Sequence, residues 1–436
     1  MYRMKAHKII LTISYCLVAI SCFGQQSKKI PINLPTILKL AGANNLTIKQ
    51  YELQYELSLA QIDKAKEWFL PTISVGPTMH YLSGAVMQTN GSILNDATQK
   101  ELWLGGGIIG TLDFKSGIYN VMAKKQQSVA VKFESQTQRN GIILEAISEY
   151  YDLIVAQFNY NQLFNLLSQS DTLSQQIKVQ VDAGIRYQSE YLLAQSNYNH
   201  IYFELTDAQV QMRKKSDALL SILNIDTNAL LISSDTGIAP MQIVPGATDT
   251  GLTSQYVQNR PEYKSMQAEL NSVQAEKKST TVGLLMPKLE VATPDAMLGT
   301  FGEPYNNSYR LDAGLLWDIP IGRIIYKGDL KTYNAEINME QNDMQQFGNV
   351  VHQQVADARA QIELSAEQMN FSRQSLAQSN KALTQSIERE KLGTVQPFEV
   401  FQSEQFYVQA ENDYLKAVSD YNKAQYQLYV AMGNNL

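Results

Sequence analysis

Residues 118–182 read IYNVMAKKQQSVAVKFESQTQRNGIILEAISEYYDLIVAQFNYNQLFNLLSQSDTLSQQIKVQVD, and this stretch decides the fold. It contains no proline and a single glycine, Gly141. A second stretch, residues 324–392, also lacks proline and carries only Gly328 and Gly348. At 1.5 Å per residue, a helix of ~65 residues is roughly 100 Å long. Ordinary globular helices run about a dozen residues. Such lengths imply coiled-coil-like packing or a device that spans a distance. The apolar positions are thin: Ala, Leu, Ile and Tyr stand among many Gln, Asn and Ser, without a strict heptad of large residues. That pattern suits helices packed side by side around a wet interior better than a dry two-stranded seam.

The two stretches belong to a duplication. An Ala- and Gln-rich helical segment from Asn45 to Lys66 runs into Phe69-Leu70-Pro71 and then alternating residues. Arg260-Pro261-Glu262 opens a similar helix that runs into Leu285-Met286-Pro287, again followed by alternation. The two prolines lie 216 residues apart. Asp113 with Gly117 matches Asp318 with Gly322 at an offset of 205, and Gly184 with Glu190 matches Gly393 with Glu399 at 209. The chain therefore divides into an N-terminal segment (1–24), a first repeat (25–231), a Ser/Thr/Gly/Pro-rich linker (232–249) and a second repeat (250–436). Each repeat is expected to run helix, two strands, long helix, sharp break and returning helix.

The strand signal is a period of two. From Thr72 to Tyr81, Ile73, Val75, Met79 and Tyr81 oppose Thr72, Ser74, Thr78 and His80. From Arg310 to Ile319, Leu311, Ala313, Leu315, Trp317 and Ile319 share one face, with Leu316 the exception on the other. Apolar-out, polar-in strands of about ten residues suit a membrane β-barrel wall. A soluble sheet with one wet face has the same alternation. Trp103 and Trp317 flank these runs, as an aromatic girdle or as packing residues.

Composition narrows the classes further. Charged residues are 18% of the chain, below the roughly 25% of soluble domains, while Gln contributes 42 residues. A net charge of −6 lacks the basic footprint of a nucleic-acid binder. Residues 1–24 read as a secretory signal: Arg3, Lys5 and Lys8 precede a short apolar run from Ile9 to Ile20, and Gly24-Gln25 is a plausible cleavage point. The only two cysteines, Cys16 and Cys22, lie in this segment. Cys22 after Ala19-Ile20-Ser21 is a candidate lipidation site, although that pattern favours a larger residue where Ala19 stands. Beyond residue 24 no run of ~20 apolar residues is present to form a spanning helix.

These residues together resemble the TolC family of outer-membrane efflux channels over essentially the whole mature chain. The resemblance rests on Asn44-Asn45 at a helix start, Leu70-Pro71 and Met286-Pro287 at helix-to-strand junctions, and Asn259-Arg260-Pro261-Glu262 opening the second repeat. It also rests on Gly184 and Gly393, each followed by an acid six residues on. It implies a mostly α fold with a membrane β-barrel portion: tandem long helical hairpins forming a trimeric α-barrel, plus four strands per chain in one shared 12-stranded barrel. It further implies an outer-membrane location reaching into the periplasm, and a passive exit duct for small molecules or polypeptides. The partners would be a periplasmic adaptor, an inner-membrane pump of RND or ABC type, two further copies and outer-membrane lipid. Physics agrees on one point: four strands cannot close a barrel whose minimum is about eight, and an open edge in lipid leaves backbone groups unsatisfied.

In this scheme Gly184 and Gly393 mark the helix reversal, with Pro397 starting the returning helix. Glu190 and Glu399 would line the periplasmic entrance, or simply favour the positive ends of their helices. A ring of such acids favours cations. The sequence departs from the family pattern at Gln402, where a second acid is usual, at Val395 in place of an Arg latch, and at Glu390 in place of an aromatic. Arg186 and Tyr187 in the first repeat are the candidate substitutes. Enzymatic readings find no support: His7, His80, His200 and His352 lack metal-ligand spacing, and no catalytic or cofactor motif is present. Gly105 to Gly110 resembles a phosphate loop faintly but sits in a strand pattern. A periplasmic helical scaffold without a pore is the alternative, disfavoured by the alternating strands.

Overall fold

The computed structural model describes residues 28–88, 90–225, 229–235, 237–244, 253–299, 304, 306–309 and 311–436. The expected signal segment, Cys16, Cys22 and the end of the linker from 245 to 249 lie outside the described residues, as do the side chains of Thr78, His80, Trp103 and Arg310.

Chain order begins with β1 (Lys28–Ile32), α1 (Leu34–Asn44) and α2 (Leu46–Lys66). Asn45 separates the two helices and caps α2, its side-chain oxygen accepting from the amides of Thr47 and Ile48. A turn of 3-10 helix then leads to β2 (Thr72–Met87) and β3 (Ile93–Asp113). The helix α3 (Phe114–Asp182) is 69 residues long and returns through α4 (Gln188–Leu223) to β4 (Ala229–Ser233). The second half repeats this order with α5 (Thr253–Asn259), α6 (Pro261–Thr280), β5 (Lys288–Gly299), β6 (Asn306–Ser308), β7 (Asp312–Leu316), α7 (Ile321–Tyr326), α8 (Gly328–Lys391) and α9 (Pro397–Ala431). No described helix is long and apolar enough to cross a membrane.

The sheet is antiparallel in the order β2-β3-β5, with the broken strand β6/β7 pairing to β5. Directly paired residues share a face. The rows Ile73–Ile108–Thr293, Gly110–Val291–Ala313 and Leu112–Leu289–Leu315 run across one face. Thr111–Glu290–Gly314 and Asp113–Lys288–Leu316 run across the other, so Leu316 does fall on the polar side. Apolar members stand in the open, Val75 at 82% and Ile73 at 67% exposure. The strands differ from the alternating runs in length. Strands β2 and β3 reach 16 and 21 residues, well beyond ten. The run expected to reach Ile319 stops at Leu316, because the next partner in register after Lys288 is Pro287, which has no N–H to donate.

Three further differences have local causes. The second long helix begins at Gly328 rather than Ile324, because Lys327 adopts a left-handed backbone (φ 53°) that breaks it from α7. Leu34–Asn44 forms a helix of its own, capped by Asn33 with Pro35 in its first turn. β1 and β4 pair in parallel, Lys28 with Ala229 through Ile32 with Ser233. They lie over a core built from Ile37 and Ala41 of α1, Ile147, Tyr150 and Ile154 of α3, and Leu219, Leu220 and Leu223 of α4.

The seam of α8 keeps a seven-residue spacing but not a heptad of large residues, since one row is mostly Ala and Ser. Val351, Ala358, Ser365, Ser372 and Ser386 are buried on one row, and Val355, Ile362, Leu383 and Glu390 on the other. The 3.5-residue period keeps this stripe facing α9. Small residues bring the two helices close, and Ser386 and Ser403 meet across them at 3.0 Å.

At the other end the helices join the sheet through a close contact. A Cβ on Gly117 would lie 2.1 Å from Cδ2 of Trp68, so only glycine lets α3 pass the indole. Trp68 also packs edge-on against Phe114.

Candidate functional site at the helical tip

The distal ends of both hairpins are built alike. Gly184 and Gly393 take φ values of 74° and 70°, the left-handed region that glycine enters without steric penalty. In the first hairpin the amide of Gly184 donates to Val181 O and that of Ile185 to Gln180 O. In the second, Gly393 donates to Glu390 O and Thr394 to Arg389 O. Both are Schellman closures, which satisfy the last carbonyls of a helix before reversal. Tyr187 and Gln396 then hold N-cap positions without a side-chain cap, and Pro397 occupies the first turn of α9. Glu190 and Glu399 fall at the third position of their helices, where a carboxylate faces the positive end of the dipole.

The side chains around these matching turns differ. Arg186 donates from Nη1 to Glu190 Oε2 at 2.8 Å and from Nη2 to Glu390 Oε1 at 2.9 Å, while its Nε donates to Gln180 Oε1. The arginine and Glu390 side chains are only 10% and 3% exposed. This buried triad ties the first hairpin to the second. Burial holds the Glu390 carboxyl above its ordinary range, against the opposing pull of the Arg186 guanidinium. In the second hairpin Arg389 Nη1 donates to Glu399 Oε1 at 2.6 Å, but both side chains are about half exposed. Tyr187 projects into the open at 80% exposure and joins neither group.

Both acids line one cavity of about 860 Å³ at the tip, together with Arg186, Arg389, Val395 and Gln402. Each acid therefore faces this space already bonded to an arginine. Glu190, Glu399, Gly184, Gly393, Pro397, Arg186 and Tyr187 are marked in the sequence by the repeat and the family pattern. Arg389 carries no such mark, and Glu390 stands out only as a departure from that pattern. A signal for Glu390 was present: it continues the row 355-362-369-376-383 at a spacing of seven, so a charge stands where an apolar residue is due. Among the described residues no group of three His, Cys, Asp or Glu could hold a metal ion.

This architecture is shared with solved structures. A membrane protein from Pseudomonas aeruginosa superposes with a TM-score of 0.78 at 17% identity, covering 94% of this chain and 92% of that one. The CmeC outer membrane channel of Campylobacter jejuni gives 0.78 at 15%, covering 92% and 85%. The open state of the MtrE outer membrane channel of Neisseria gonorrhoeae gives 0.73 at 14%, covering 92% and 89%. No family model and no curated protein matches the chain. The chain thus has the fold of the outer-membrane channels. It is the fold that the TolC-family resemblance implied, with tandem helical hairpins continuous with a four-stranded portion of sheet.

Proposed function

We propose that this protein is the outer-membrane exit duct of a tripartite efflux or type I secretion system. The observation that carries the reading is the open sheet β2-β3-β5-β6/β7, apolar on one face, exposed, and unpaired along its outer edges. Such a sheet in lipid would leave a row of backbone groups without partners, each costing several kcal/mol. Three copies bring twelve strands together, which is enough to close a barrel. The same threefold arrangement would set the hairpins α3/α4 and α8/α9 around a tunnel through the periplasm. The two repeats, 25–231 and 250–436, would each supply one hairpin and two strands.

In this reading the duct is passive. Energy would come from an inner-membrane pump of RND or ABC type, docked through a periplasmic adaptor, and cargo would diffuse outward once the tip opens. Glu190 and Glu399 would stand at the periplasmic entrance, with Gly184, Gly393 and Pro397 forming the reversal and Arg186 clamping one hairpin to the other. The deciding experiment is the mass of the detergent-extracted species, corrected for bound detergent. A trimer is expected. A stable monomer would leave the sheet with nothing to close and would end the channel reading.

A further inference from the structure

Glu404 lies on α9 seven residues beyond Pro397, on the buried row formed by Pro397, Phe401 and Glu404. It is 3% exposed. Its hydrogen-bond partner is Asn197 of α4, whose Nδ2 donates to Glu404 Oε2 at 3.2 Å and also reaches Ser170 Oγ of α3 at 3.4 Å. A cavity of about 370 Å³ adjoins the carboxyl. To that cavity α3 contributes only uncharged side chains, among them Ser168, Thr172 and Gln176. Its charged groups come from α8: Glu390, already bonded to Arg186, and Lys391. The burial arises within one chain, so association with further copies cannot undo it.

We propose that Glu404 is a proton-operated latch of the helical tip: uncharged, it seats α9 against α3 and α4, and ionised, it loosens that contact. Apolar support at this level is modest among the described residues: Ile177, Ala194 and Phe401 form a small buried cluster with Leu173, Val181 and Tyr191 partly buried against it, and Val400 lies one turn from Glu404, so a charge there acts on a thin core. Desolvation pushes the carboxyl up from 4.5 to about 7, the Asn197 hydrogen bond pulling weakly the other way. The packed tip binds the proton more tightly than a solvated carboxylate does. Packing is therefore strongest below the ordinary value, weakens as pH rises toward about 7, and levels off above it. For its functional consequence the latch rests on the exit-duct reading: opening becomes easier as the periplasm turns from acidic to neutral.

Amide hydrogen exchange on the full-length assembly in detergent tests the latch directly. Peptides covering residues 386–410 would be followed from about pH 5.5 to about pH 8.5, corrected for the intrinsic pH dependence of exchange. The native protein is expected to lose protection by up to about tenfold per pH unit on approaching neutrality. Glu404→Gln should hold its acid-side protection throughout. Glu404→Met, which also removes the acceptor for Asn197, should be equally flat. Matching pH profiles in the native protein and the Gln variant would overturn the proposal. So would a loss of protection in both variants that is the same at every pH, since that is a packing role alone. No pore is needed for this readout, so absent conductance would count against the duct and not against the latch.

Discussion

The two hairpin tips share a turn but not an electrostatic environment. Gly184 and Gly393 close their helices with the same pair of backbone hydrogen bonds. Yet Arg186 is buried between Glu190 and Glu390, whereas Arg389 and Glu399 pair in the open. Backbone geometry was duplicated with the repeat, and side-chain function was not. Arg186 joins the two tips through a desolvated charge network, whereas the Arg389–Glu399 pair lies open to solvent.

Removing Arg186 should separate the tips most strongly. Arg186→Ala strands Glu390 as an uncompensated buried charge, a change of about 3 kcal/mol or more in local stability. Hydrogen exchange around residues 180–200 and 386–396 would report it. If Arg389→Ala costs as much, the contrast between the tips collapses. Next in size are Gly184→Ala and Gly393→Ala, each expected to destabilise by about 1–2 kcal/mol through left-handed strain. Thermal unfolding of the two variants should agree, because this is the part the tips have in common. Arg389→Ala alone should cost less than about 1 kcal/mol, and that loss should fade in ~1 M salt, where screening acts within about 3 Å. The smallest effect concerns ion selectivity in a planar bilayer. Glu399→Gln should reduce cation preference more than Glu190→Gln, because Glu190 is largely covered and its charge is offset by Arg186. Equal shifts would mean that Glu190 faces the passage as openly as Glu399.

The features legible in the sequence were those with a local cause. Long helices followed from the absence of proline over 118–182, the reversal from Gly184 and Gly393, and the strands from alternation at Ile73, Val75 and Leu315. What escaped depends on partners far along the chain. The pairing of β1 with β4 joins residues some two hundred positions apart, and Ile30 and Leu231 carry no mark of each other. Arg186 finds Glu390 across 204 positions for the same reason. Glu404 sits among Gln and Ser residues and reads as one more solvated acid, until Asn197 and Ser170 are seen around it. The seven-residue spacing of α8 was hidden differently, since serines and alanines on one row gave no hydrophobic signal.

The contact between Gly117 and Trp68 has a mechanical consequence. It leaves no room between the indole and the root of α3, so the joint between sheet and helices acts as a fixed pivot. From that pivot α3 extends 69 residues, roughly 100 Å. A rotation of about 5° at the root would swing the far end by about 9 Å over such a length. The molecule is a set of long levers clamped at one end. Leverage of that kind means the clamp must be tight, and a few fastenings at the far end are enough to hold the levers.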